Sequence, residues 1–165
     1  MDHAGWRASA RMDGPSSKRS GRPGKFLTDD EAAQVAQAVD RAERHTTAEI
    51  KVAIVRHCWG DLRDKAEHVF RKLGLHKTEQ RNCVLILLVL ANREFVIFGD
   101  RGIHESVGDG FWTDVRDAMR ARFMEDRFGQ GLCEGVGLIG GRLAEHFPPH
   151  AGDRDEISDE VVHEE

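Results

Sequence analysis

Residues 83–100, CVLILLVLANREFVIFGD, decide the fold. From Cys83 to Ala91 the side chains are apolar at both parities, as in a strand covered on both faces. The run is nine residues long, far short of the roughly 20 that a membrane-spanning helix needs, so it belongs to a buried strand. Asn92-Arg93 then makes a short turn into Phe95-Val96-Ile97-Phe98, which predicts an antiparallel hairpin. A hairpin apolar on both sides requires helices on both of its faces.

Upstream, Glu49 to Val55 is rich in β-branched residues, with Ile50, Val52 and Ile54 on one face, and reads as the first strand. Before it, Thr28-Asp29-Asp30-Glu31 is a capping-box pattern, and Ala32, Val35, Ala36, Val39 and Ala42 recur at helical spacing up to about His45-Thr46-Thr47. After it, Gly60-Asp61 offers an N-cap to a second helix striped by Leu62, Ala66, Val69, Phe70 and Leu73 and ended by Gly74. Strand, helix and strand then form a parallel crossover, which joined to the hairpin gives a mixed sheet.

Downstream, residues 99–111, GDRGIHESVGDGF, read as a Gly- and Asp-rich loop. A helix follows over Trp112–Phe123, and a last one over Gly131–Phe147 carries Gly135, Gly137, Gly140 and Gly141. These glycines are expected to bring the helix backbone close to the sheet. The fold expected is a three-layer α/β/α sandwich with a small mixed central sheet of about four strands and helices on both faces.

The 165 residues suit one such domain with flanks. Residues 1–25 hold six Lys/Arg against two Asp, show no periodicity and read as a disordered basic arm. Residues 26–150 form the domain, and 151–165 an acidic C-terminal tail. Between the charged flanks the body is nearly balanced, without the basic footprint of a nucleic-acid binder. No apolar stretch of signal-peptide length follows the basic residues, and no segment is built for membrane insertion, which predicts a cytoplasmic location. Cys58, Cys83 and Cys133 are too few and too scattered for a disulfide framework or a zinc site.

The order helix, strand, helix, strand, strand, Gly/Asp segment, helix, helix resembles TPM-domain proteins. The segments that carry the likeness are FLTDDEAAQVAQAVDRAERHTTAEIKVAIV, RNCVLILLVLANREFVIFGDRGIHESVGDGFW, GQGLCEGVGLIGGRLAEHFP and the acidic DRDEISDE, so that it spans residues 26 to about 160. The chain is similar to the soluble, unanchored branch. The resemblance implies the α/β/α sandwich, and three kinds of function known among relatives: acid phosphatase activity in a lumenal plant member, calcium binding in a bacterial one, and auxiliary roles in membrane-associated complexes.

By the same resemblance Glu49, Asn82 and Asp109 fall at family positions, and Asp100 belongs to the Gly-Asp-x-Gly-Ile form of soluble relatives. Chemistry adds that carboxylate and amide oxygens gathered at strand ends suit a hard cation such as Ca, Mg or Mn. In a mixed sheet Glu49 and Asn82 begin parallel strands while Asp100 ends an antiparallel one, which predicts a shared end. Arg81, Arg101 and His104 are the candidates to contact an anion there. The chain departs from the family's Asp-Asn-Gly in having Arg81-Asn82-Cys83, which puts a cation where a carboxylate stood. The other reading of the Asp residues is that they cap helices. No organic cofactor is expected, and catalytic residues stay unassigned. The function expected is a module that binds a divalent cation, a protein partner, or both; the alternative is a metal-assisted phosphomonoesterase.

Overall fold

The computed structural model describes residues 5–12, 19–149 and 158–164. Its centre is a five-stranded mixed sheet in the order β1-β4-β3-β2-β5. These strands are β1 (Gly5–Arg11), β2 (Glu49–Val55), β3 (Cys83–Val89), β4 (Glu94–Asp100) and β5 (Val162–Glu164). β2 and β3 run parallel, joined through α3 (Leu62–Lys72). β3 and β4 form the expected antiparallel hairpin, whose turn is closed by Arg93 at φ 53°.

Both faces of the sheet are covered, and alternation assigns the residues. Ile50, Val52 and Ile54 of β2 join Val84, Ile86 and Leu88 of β3 under α2 (Asp29–Glu43), α5 (Asp109–Phe123) and α6 (Phe128–His146). The opposite parity, including Val55, Leu85, Leu87 and Phe98, packs under Ala66, Val69 and Phe70 of α3. Each such side chain taken fully out of water contributes roughly 1.5–3 kcal/mol. The architecture is therefore the α/β/α sandwich expected from the doubly apolar hairpin.

Local chemistry sets the helix limits. Thr28 accepts the Glu31 N–H at 3.0 Å, and Glu31 Oε1 accepts the Thr28 N–H at 2.9 Å, which completes the capping box. Asp61 caps α3 by accepting the Arg63 N–H at 2.7 Å, and Gly74 in the left-handed region (φ 74°) ends it.

Four expectations are corrected. Within the arm expected to be disordered, Gly5–Arg11 pairs antiparallel with β4, and α1 (Pro23–Phe26) forms before α2. The pairing is made by backbone groups along an otherwise open edge, with Ala8 and Met12 buried on one face. Arg19 fixes the next stretch. Its guanidinium binds both Glu31 oxygens at 2.7 Å and Asp126 Oδ1 at 2.9 Å, and lies over the Phe26 and Phe128 rings. Residues 1–4 and 13–18 lie outside the described residues.

Second, the Gly/Asp loop over 99–111 is replaced by α4 (Arg101–Ser106) and the first turn of α5, because Asp100 accepts the Arg101 N–H at 2.7 Å and starts a helix. Third, of the four α6 glycines expected to approach the sheet, Gly135 faces Met119 of α5 and Gly140 faces α2, while Gly137 and Gly141 have nothing within 4 Å. A Cβ at Gly131 would stand 2.6 Å from the Phe123 ring of α5, and one at Gly140 would stand 2.6 Å from Ala42 Cβ of α2. Fourth, the sheet has a fifth strand in the acidic tail, where Val162–Glu164 pairs in parallel with Ala53–Val55.

Candidate functional site

Glu49 stands opposite Cys83, Val84 opposite Gly99, and Gly5 opposite Asp100, so Glu49, Asn82 and Asp100 lie at one end of the sheet on three neighbouring strands. All three are buried. The side chains of Asp100 and Asn82 have different partners. Arg81 donates from Nε and Nη2 to the two Asp100 oxygens at 2.9 and 3.2 Å, and Asp100 Oδ1 also accepts the Arg101 N–H. Asn82 Nδ2 donates to Thr47 Oγ1 at 3.2 Å. Asp100 thus has the helix-capping role and is neutralised by a guanidinium. The Arg101 side chain is exposed, and the side chains of Asp109 and His104 lie outside the described residues.

Backbone geometry holds Arg81 in place. It has φ 52°, and its carbonyl accepts the Gly102 N–H at 2.9 Å. A Cβ at Gly102 would come within 2.7 Å of the Arg81 oxygen and closer still to that of Gln80, so only glycine allows α4 this approach. A left-handed arginine facing a glycine is what turns the guanidinium onto Asp100. Among the described residues no group of three or more His, Cys, Asp or Glu is spaced to hold a metal ion.

Three charged residues absent from the sequence reading complete this end. Glu43 closes α2, and its Oε2 accepts the Ile50 N–H at 2.7 Å, capping the β2 edge where β5 does not reach. Burial, together with the neighbouring carboxyls of Asp159 and Glu49, pushes the Glu43 carboxyl up to about 10, although the Ile50 N–H pulls the other way. Glu43 Oε1 and Asp159 Oδ1 are buried without a donor, and a proton on Glu43 supplies one. Lys51, 5% exposed, donates from Nζ to the carbonyls of Ser158 and Glu160, both at 2.7 Å. Burial lowers its pKa against the opposing pull of Asp159. The Cys83 thiol beside them is pushed up by burial first and by Glu49 next. One signal for Glu43 is readable: an acidic residue in the last turn of a helix opposes the macrodipole and calls for a local reason.

At the other end of the sheet the parallel strands point toward the loop after β2, where α/β sheets commonly present binding groups. Asn92 clamps this loop, accepting the Cys58 N–H at 3.1 Å and donating to the Cys58 carbonyl at 3.4 Å. Cys58 is buried and its thiol pKa is raised by that burial, so adjacency to His57 does not make it a nucleophile. Trp59 is 86% exposed, with its ring centroid 4.6 Å from that of His57.

Among the described residues no helix is long and apolar enough to cross a membrane. The chain is similar to a solved structure described as the NMR structure of BA42 protein from the psychrophilic bacterium Bizionia argentinensis, with 34% sequence identity, a TM-score of 0.81, and coverage of 87% of this chain and 99% of that one. A search of curated proteins finds no match. The family model described as the TPM domain matches residues 22–142, from α1 through most of α6 and including the Arg81–Asp100 end of the sheet, and the chain therefore belongs to the TPM-domain family.

Proposed function

We propose that this TPM domain is a protein-binding module whose contact surface is organised around Trp59. The observation that carries the reading is a tryptophan 86% exposed on a loop that Asn92 holds by two hydrogen bonds. Exposed aromatic rings on pre-ordered loops make effective anchors, because a partner gains large apolar contact with little ordering cost. Capture from extracts of the source cells tests it. A Trp59→Ala chain of unchanged circular dichroism is expected to lose the proteins that the natural chain retains; the same proteins bound by both would overturn the reading.

A divalent cation at Glu49, Asn82, Asp100 and Asp109 is the second reading, supported by the shared end of the first three. It requires Arg81 to leave Asp100, since both oxygens already accept from it. Amide NMR titration with calcium, magnesium and manganese checks this, and saturable shifts at Asp100 and Arg81 are its expected mark. A phosphomonoesterase would need such an ion first, with Arg81, Arg101 or His104 on the phosphate, so the same titration governs that reading.

A further inference from the structure

The β2 edge is covered by a short segment of the chain itself. Ladder pairing of β5 extends over three residues, whereas every other neighbouring pair in the sheet matches six or seven. Beyond the ladder, the segment lies beside α1, sets Asp159 against Glu43, and is held by two lysines. Lys51 binds the carbonyls of Ser158 and Glu160, and Lys72 Nζ lies 2.8 Å from Glu164 Oε2. Val161 packs against the core on one side of the sheet and Val162 on the other, and both are only partly buried.

Such a contact is recognition of an extended strand: backbone groups supply the pairing, and alternate side chains supply the selectivity. Lys51 reads the carbonyl oxygens of Ser158 and Glu160, which a bend before β5, where the Glu160 N–H donates to Ser158 Oγ at 3.2 Å, brings to one ammonium. Lys72 reads one acidic side chain, and the two valines need a β-branched residue on each face. We propose that the β2 edge, from Lys51 to Val55, is an acceptor for an extended acidic segment of a partner protein, of the type Asp-Glu-Val-Val-x-Glu, and that residues 158–164 occupy it in cis.

Charge complementarity selects this partner chemistry, since Lys72 faces Glu164 and Lys51 faces Asp159 and Glu160, while the Glu43 carboxyl that also meets Asp159 holds a proton. The proposal rests on the protein-binding reading above and extends it. β5 runs parallel to β2 and ends beside Val55, so a longer segment added in this direction continues toward the Trp59 loop. An occupant tethered in cis acts at an effective concentration near millimolar, so a free segment competes only when the tether's grip is weakened.

The test uses the full chain and a fluorescein-labelled peptide, SDEVVHEE, matching residues 158–165, followed by anisotropy. Val162→Asp in the chain weakens its own strand and is expected to raise peptide affinity at least tenfold over the natural chain. Adding Lys72→Glu to that variant is expected to weaken binding several-fold, and a peptide with Glu164→Lys is expected to restore it. Should Val162→Asp disturb the fold by circular dichroism, Glu164→Lys in the chain serves as the release variant.

Absence of saturable binding to a folded release variant at 1 mM peptide overturns the proposal, as does a charge swap without effect. A concentration-dependent dimer of the natural chain that the peptide dissociates would overturn the partner assignment in favour of a second copy. Failure of the peptide while Trp59→Ala still abolishes capture would remove this inference alone. Peptide binding with capture indifferent to Trp59 would remove the Trp59 reading instead.

Discussion

Replacing Glu43 by glutamine should flatten the fall of stability with rising pH between pH 6 and pH 8. In the folded chain the Glu43 carboxyl is pushed up from 4.5 to about 10, chiefly by burial and then by Asp159. A proton held more tightly in the folded state stabilises it fully below the ordinary carboxyl value. That stability is lost as pH rises from there through about 10. The slope is at most about 1.4 kcal/mol per pH unit, so from pH 6 to pH 8 the natural chain should lose up to about 3 kcal/mol. The figure is an upper limit, because release of residues 158–164 would let Glu43 ionise in water without global unfolding. The Glu43→Gln side chain keeps an acceptor for the Ile50 N–H and offers an amide donor toward Asp159. Asp159, Glu49 and Lys51 face position 43 in both chains, so they largely cancel in the comparison. Urea unfolding of both proteins at pH 6, 7 and 8 measures the difference. Equal slopes with pH would refute the reasoning.

Gly102→Ala should be severe, because two backbone carbonyls, those of Gln80 and Arg81, leave no room for the methyl group; a loss of about 3 kcal/mol or more by thermal or urea unfolding is expected. In α6 the glycines should divide by neighbour. Gly131→Ala meets the Phe123 ring, itself stacked on Phe128, and should cost about 1–3 kcal/mol, whereas Gly137→Ala has nothing within 4 Å and should add up to about 1 kcal/mol. Arg19→Ala should lower stability by about 1–3 kcal/mol, with Arg19→Lys recovering only part, since an ammonium cannot reproduce the bidentate pair with Glu31; urea midpoints of the three proteins check it.

The elements that the sequence places well are those whose signal is local. Glu49–Val55 forms where its pattern puts it because one tightly patterned run carries it, and α2 begins where Thr28 and Glu31 cap each other. The elements that escape a sequence reading depend on distant partners. β1 has a weak pattern of its own and owes its order to the free edge of β4, while Arg19 gains meaning only beside Glu31 and Asp126. The candidate site divides in the same way. Strand order alone brings Glu49, Asn82 and Asp100 to one end. That Arg81 takes a left-handed backbone and turns onto Asp100 depends on Gly102, far along the chain, with no nearby residue to announce it. Glu43 is marked only by its acidity in the last turn of α2, and its partner Asp159 comes from a segment that reads as tail.

The sheet order β1-β4-β3-β2-β5 also has a consequence for synthesis on the ribosome. The three inner strands lie within residues 49–100 and can assemble as soon as that stretch has emerged. β1 is made first, yet the residues it pairs with begin at Glu94. At about 5–20 residues per second it waits several seconds as an unpaired strand at or just beyond the exit tunnel. Its own composition suits that wait: Arg7, Ser9 and Arg11 interrupt the apolar residues, so a nascent chain is less prone to pair with its neighbours on a polysome than a continuous hydrophobic strand would be.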